Sequence, residues 1–322
     1  MEERRFHLGR YKMQLGLMTI FCLVILFFIG TSPTVFLRPT IYLAYLTTIP
    51  FVGIMALGLT FVLASGEIDL SFPSVMAFAG YVCAVAIDAT GSVTVGILAG
   101  LASGALIGCL NGLIIRKIGV PSIVVTLGMS FLIRGAVNLL SQGLGKSLTF
   151  LQNTPWHTVL VGKLAGKFPA HAIWFAALTV LFWFILYRHR FGNHVLFSGD
   201  NEDAARMMGV NVDRVKIMVF ALMGVMAAFA GLIDSFRLLK WWPTMGEGFM
   251  LTTMASAFVG GTSMFGGEAT IFGTFIGAFL IGSLEAGIVA AGLSGFWTQF
   301  IYGLLILIAV TVHTVLRKGR VA

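Results

Sequence analysis

The chain has 322 residues, of which 58% are hydrophobic and 11% charged, with a mean hydropathy of +0.95. A soluble fold of that composition lacks the polar surface to cover itself, and 39 glycines beside 8 prolines fit neither a collagen repeat nor a disordered linker. The formal charge of +8 therefore reports which side of a bilayer holds the basic residues, not a nucleic-acid partner.

At about 20 apolar residues per membrane-spanning helix, the chain divides into about ten spans, near 13–30, 46–64, 72–88, 93–115, 121–140, 172–187, 215–236, 249–263, 270–290 and 296–316. The first run is too long for a signal-peptide core, and Gly30-Thr31-Ser32-Pro33 offers no small-x-small cleavage site, so it reads as a retained span. Cys22, Cys83 and Cys109 lie inside apolar runs without disulfide or zinc spacing and read as small buried hydrophobes. The segment 249–263 is short and rich in Gly, Ala, Ser and Thr, as expected of a tilted or broken helix buried by its neighbours.

With the N-terminus inside, fourteen of the 21 basic residues fall on the cytoplasmic side, six on the outer side and one, Arg134, within a span. That asymmetry predicts cytoplasmic termini and an even number of spans. The longest connections are an outer segment, 141–171, and an inner one, 188–214, which holds most of the internal polar residues. Two halves of five helices would be inverted relative to one another, although no strong self-similarity marks them. The fold class expected is thus all-α, a polytopic bundle in a single domain over 1–322, with an inverted repeat as a candidate arrangement.

Gly100, Gly104, Gly108 and Gly112 form a smooth strip along one helix, and Gly273 and Gly277 repeat the device. Such strips serve static packing or a sliding contact. Gly143-Leu144-Gly145-Lys146-Ser147 resembles the end of a phosphate-binding loop, but Leu140 stands where the first glycine is required. The six histidines are dispersed, and Glu67, Asp69, Glu268 and Glu285 have nothing in the sequence to fix a catalytic pairing. No enzyme constellation is present.

Three polar or glycine-rich stretches stand at expected cytoplasmic ends: Ser65-Gly66-Glu67-Ile68-Asp69-Leu70-Ser71, then 198–211, which contains Asn201-Glu202-Asp203-Ala204-Ala205-Arg206 and Gly209, and Gly260-Gly261-Thr262-Ser263-Met264-Phe265-Gly266-Gly267. Together with Asn111-Gly112 and Pro121-Ser122-Ile123-Val124-Val125-Thr126-Leu127-Gly128, they resemble in order and spacing the membrane permease subunits of ATP-binding-cassette importers, in the branch that includes ribose and other monosaccharide permeases. The resemblance covers nearly the whole chain. It departs at Phe72-Pro73, where Val-Gly is usual, at Met250 and Thr252, where acids are common, and at Glu285, where asparagine is common.

The resemblance implies a type II importer-like fold in the bacterial inner membrane and a permease paired with a second copy or a related chain. It also implies ATPase subunits that carry ATP and magnesium on the inside, and a periplasmic binding protein outside. No cofactor is expected on this chain. Within the coupling segment 188–214, Asn201, Glu202, Asp203, Ala204, Ala205, Arg206 and Gly209 would form the coupling helix, with Ala204 and Ala205 as a small face and Gly209 as its terminator. Asp69 and Ser71 read as a helix cap or a gating element. Gly260, Gly261, Gly266 and Gly267 read as a turn or hinge, with Thr262 and Ser263 capping the next helix.

Asn111, Asn138, Glu285 and Gln299 are pathway candidates, because a polar group within a span needs a partner or water. Trp241, Trp242, Trp174 and Trp183 are available to a sugar face, or act as interface anchors. The solute expected is a monosaccharide or related polyol. An autoinducer, a nucleoside or a branched-chain amino acid remains open, as does an ion-coupled carrier that uses Glu285.

Overall fold

The computed structural model describes residues 3–290, 292, 294 and 296–321, with side chains described from residue 15 to 308 and at 311 wherever the backbone is. The ten expected spans correspond to ten helices: α1 (Glu3–Thr31), α3 (Pro39–Ala64), α4 (Phe72–Thr90), α5 (Val93–Leu113), α6 (Ser122–Ser141), α8 (Ala170–Arg188), α11 (Val212–Leu238), α12 (Phe249–Val259), α13 (Ile271–Ala290) and α14 (Phe296–Val321). Seven of these are long and apolar enough over their described residues to cross a membrane. Four shorter α-helices also lie among the described residues: α2 (Pro33–Phe36), α7 (Pro155–Val161), α9 (Arg190–Asp200) and α10 (Glu202–Met207). The expectation of a polytopic helical bundle holds.

Helix α3 is the central element and is buried almost continuously from Ile49 to Ala64. Its residues are apolar all round, as a helix surrounded by other helices must be. Helix α6, by contrast, presents Leu127, Phe131, Leu132, Leu139 and Leu140 outward.

The inverted arrangement expected of two half-bundles is visible in the packing. Helices α3 and α11 run antiparallel: Glu67, just past α3, meets Lys216, Gly58 meets Met223 and Met226, and Phe51 lies under Arg237. In the first half, Gly96 and Gly100 of α5 pack against the carbonyls of Cys83 and Ala79 in α4. In the second, Gly273 and Gly277 of α13 pack against those of Gly260, at the end of α12, and Ser256 within it. Each residue of the second set follows its counterpart by the same number of positions. Such a constant displacement is the register of a structural repeat.

The repeat is imperfect in one informative place. Helix α12 stops at Val259, whereas α4 continues for about two further turns, so the Gly-rich turn 260–270 replaces the end of a helix. The glycine strip on α5 serves tight packing: Gly104 abuts the backbone of Gly224, Gly108 that of Phe220 and Gly112 that of Ile217, all in α11. A side chain at any of these positions would overlap the facing helix.

Short strands close the end of the bundle opposite α10. Strand β1 (Lys146–Ser147) pairs antiparallel with β4 (Lys240–Trp241), and β2 (Lys163–Leu164) pairs with β3 (Phe168–Pro169). The β1–β4 pairing ties the long 141–171 connection to the loop after α11. The phosphate-loop look-alike at 143–147 thus ends in a strand, not a helix. Cys83 is buried, but Cys22 is exposed on α1, which corrects the expectation that all three cysteines are interior.

Candidate functional site

Three segments far apart in sequence converge at the end of the bundle that carries α10. Gly199, near the end of α9, touches Gly66 after α3 and Gly266 and Gly267 before α13. The Gly267 amide donates to the Ala64 carbonyl at 3.0 Å. Gly66, Gly266 and Gly267 have φ of +78°, +82° and +76°, a conformation that side chains disfavour. Gly199 needs the absence of a side chain for a different reason: a Cβ there would overlap the Ala64 carbonyl. The backbone of the α9–α10 corner therefore rests directly on both glycine turns.

Beside this junction lies a balanced network of three cations and three acids. The Lys216 ammonium is 2.8 Å from Glu67 Oε1 and 3.0 Å from Glu202 Oε2. Arg116 is paired with Glu202 and lies 2.8 Å from Asp213 Oδ1, while Arg206 reaches Asp213 at 2.7 Å and Glu202 at 3.1 Å. Glu202 is the hub, joining all three cations. Partial burial raises its pKa, but the hydrogen bonds and charges of Lys216, Arg206 and Arg116 prevail and hold it below the ordinary carboxylate range. The network ties α10 to the segment that follows α3.

Helix α10 is built as the sequence suggests. Asn201 caps it, its Oδ1 accepting from the Ala204 amide at 3.0 Å, and Gly209 follows its end with φ +84°. Asp203 is exposed and Ala204 half-buried. Ala205 departs from expectation: it is fully buried within the chain, so its small size serves internal packing and not an outward face. The exposed apolar residues at this corner are Met207 and Met208.

The 65–71 segment is non-helical and, apart from Gly66, buried or half-buried, so its polar groups need internal partners. Ser71 donates its amide and hydroxyl to Asp69 Oδ1 at 2.7 and 2.6 Å, and the Ser71 hydroxyl accepts from Asn111 Nδ2 at 2.9 Å. The Ile68 amide donates to Ser122 Oγ at 3.2 Å, and the Thr126 hydroxyl donates to the Ile68 carbonyl at 3.4 Å. Asn111, expected along the pathway, is fully buried and instead fastens this segment. The 121–128 motif supplies the serine and threonine that complete it.

In the second glycine turn, Gly260 packs on Gly273 and Thr274. Helix α13 is capped by Thr270, whose hydroxyl accepts from the Gly273 amide at 2.8 Å. This corrects the expectation for Thr262 and Ser263: Ser263 Oγ accepts from the Phe265 amide within the turn, and the buried Thr262 hydroxyl has no hydrogen-bond partner among the described residues. Gly261 also takes positive φ, at +90°.

A cavity of about 910 Å³ opens between α3, the end of α11, α12, α13 and α14. Glu285 and Gln299 line it, as do Asp234, Arg237, Glu247 and Tyr45. Asn138 is exposed near the end of α6 and lies outside that lining. None of Trp241, Trp242, Trp174 and Trp183 lines the cavity; Trp241 is a core residue that donates to the Ala77 carbonyl at 2.8 Å. The embedded Arg134 is satisfied by backbone, donating to the carbonyls of Pro243, Met245 and Pro73 at 2.5, 3.1 and 3.3 Å. It pins the connection before α12 to the start of α4.

Residues 41–310 match the family model described as the branched-chain amino acid transport system / permease component. The chain is 35% identical to the ribose import permease protein of Escherichia coli (strain K12) over 81% of both chains. It is 33% identical to the L-arabinose ABC transporter permease protein of Azospirillum brasilense over 88% of this chain and 83% of that one. With the ribose import permease protein of Bacillus subtilis (strain 168) the identity is 34%, over 96% and 95%. No solved structure matches the chain. The match over residues 41–310 and the similarity to these relatives over most of their length place the chain in the branched-chain amino acid transport system / permease component family of membrane permeases.

Proposed function

We propose that this chain is the membrane-spanning subunit of an ATP-binding-cassette importer and forms the translocation pathway for a monosaccharide or related polyol. The support for a sugar is that the relatives above are named for ribose and arabinose transport and align over most of their length. The carrying observation is the α9–α10 corner, braced on both glycine turns and joined by Glu202 and Lys216 to the segment after α3. A push on α10 would reach the ends of α3 and α13 through short, close-packed links, without a flexible loop between.

In this reading α10 faces the cytoplasm, both termini are cytoplasmic, and α9–α10 receives the ATPase subunits, on which ATP and magnesium are bound. A periplasmic binding protein delivers solute at the end closed by the short strands, and a second copy or related permease completes the channel. Chemistry on the solute forms no part of the role. Met207, 83% exposed on α10, gives the test. With Met207→Cys in the assembled transporter, a short bifunctional crosslinker is expected to trap the ATPase subunit. ATP-dependent uptake by an assembly that yields no such product, with crosslinks instead from the strand end, overturns the assignment.

A further inference from the structure

We propose that the carbonyls of Pro73, Pro243 and Met245 form a guanidinium site inside the membrane, filled from within by Arg134, that clamps the connection before α12 to the start of α4. Arg134 lies on α6, which is long and apolar enough to cross a membrane. At a rise of about 1.5 Å per residue it stands about 18 Å from one end of that helix and about 10 Å from the other. The start of α4 is also at depth: Gly231 of α11 packs on the Met76 carbonyl, about 22 Å along α11 from Lys216 in the corner network. Gly246 of the connection abuts the Pro73 carbonyl so closely that a Cβ would overlap it. Helix α4 therefore begins, and the connection turns, within the bilayer and not at its surface.

The connection is unwound at this depth, with Gly246 and Gly248 at φ of +82° and +87°. Pro243 and Met245 are buried, and no backbone amide among the described residues donates to either carbonyl. Carbonyls left without a donor in a bilayer are costly, and irregular backbone is tolerated there only when other groups satisfy it. Arg134 is that group: Nη1 donates to the carbonyls of Pro243 at 2.5 Å and Met245 at 3.1 Å, and Nη2 donates to that of Pro73 at 3.3 Å. One planar fork thus pairs both orphaned carbonyls and reaches across to α4.

The charge is held by these carbonyl dipoles and not by a counter-ion. Glu247 Oε1 lies 4.0 Å from Arg134 Nε, beyond hydrogen-bond reach, on a side chain that is 59% exposed. Unwound backbone carbonyls at membrane depth are the ligands by which ion-coupled carriers hold a free cation. Here a tethered guanidinium, charged at every working pH, takes that place, so no gradient can load or empty the site. A lysine ammonium would present one nitrogen where the fork presents two. The clamp joins α4 and α6 of the first half to the connection of the second, independently of the Lys216 network.

The test is hydrogen exchange and thermal melting of the full chain in lipid nanodiscs, with ethylguanidinium as probe and sodium at equal ionic strength as comparator. Arg134→Ala vacates the site. Exchange across 240–248 is then expected to quicken about ten-fold, the loss of one hydrogen bond to a charged group, and the melting midpoint to fall. Millimolar ethylguanidinium is expected to restore both in this variant and to change neither in the natural chain, while sodium restores nothing. No restoration by ethylguanidinium, or equal restoration by sodium, overturns the guanidinium site. Two further variants decide the matter even where alanine yields no folded chain. Arg134→Lys keeps the charge and is still expected to quicken exchange across 240–248; no change means that a point charge suffices. Glu247→Gln leaves the carbonyls untouched and is expected to alter nothing; a quickening as large as that of Arg134→Lys means that the carboxylate holds Arg134. Either of these contrary results overturns the proposal.

Discussion

The ammonium of Lys216 lies 2.8 Å from the carboxylate of Glu67, two residues from opposite halves of the chain and both more than nine-tenths buried. Lys216 also holds Glu202 at 3.0 Å, so one side chain joins α10 to the segment leaving the central helix. Removing one member of a buried pair typically costs about 3–5 kcal/mol, and without Lys216 the Glu67 carboxylate keeps a longer contact with Arg116, at 3.9 Å. Lys216→Met is therefore expected to lower the thermal midpoint of the full chain sharply. Adding Glu67→Gln to Lys216→Met should recover part of the loss, and a double-mutant cycle on the melting midpoints reads that coupling. Strictly additive losses would mean that the two groups do not interact.

The glycine junction makes a sharper steric prediction. Gly199→Ala drives a Cβ into the Ala64 carbonyl, where neither backbone can yield without breaking the Gly267 amide bond to that same oxygen. The expected result is loss of coupled uptake and reduced yield of folded chain. Gly209→Ala has open space around it and only a positive φ to contend with, a cost of about 1 kcal/mol. Melting and uptake measured side by side should rank Gly199→Ala far below Gly209→Ala.

Ser71→Ala removes both the hydroxyl bond to Asp69 and the acceptor for Asn111. Two buried polar groups lose a partner, so about 2–4 kcal/mol of local stability is at stake. Hydrogen exchange should accelerate across 65–71, with little change in α8, which lies away from these bonds. Uniform acceleration throughout the bundle would contradict a local fastening role.

Acid should loosen the corner in a defined direction. Glu202 is held below its ordinary value in the folded chain by Lys216, Arg206 and Arg116 against the opposing effect of partial burial. A depressed carboxylate contributes stability that is present above its ordinary pKa of about 4.5 and is lost as pH falls through the lower folded value. The melting midpoint is thus expected to lose this contribution below about pH 4.5. Glu202→Gln should flatten that decline at the expense of stability at neutral pH.

The long apolar helices and their polar interruptions were legible because apolar length is a strong signal and because Gly-rich and charged stretches stand out against it. The inverted repeat was suggested only by the division of the spans into two halves of five, since those halves share packing register and few residues. Gly96 and Gly100 recur as Gly273 and Gly277, but the positions equivalent to Gly66, Asp69 and Asn111 are Pro243, Gly246 and Ile288. The candidate coupling residues were found by motif, whereas Arg116, Asp213 and Lys216 were not, because pairing across helices leaves no mark in local spacing. Asn111 and Ala205 misled for a related reason: an amide in a span and an alanine on a short helix look alike in sequence whether they face a pathway, a partner or the core.

In the role proposed above, this chain moves solute only when driven by ATP hydrolysed on other subunits. The most direct measurement is D-ribose accumulation in proteoliposomes containing the chain with its ATPase and binding protein, compared with the chain alone under proton or sodium gradients. Uphill uptake is expected in the complete assembly with ATP on the ATPase side, and none from the chain alone under either gradient. Gradient-driven uphill uptake by the chain alone would contradict it.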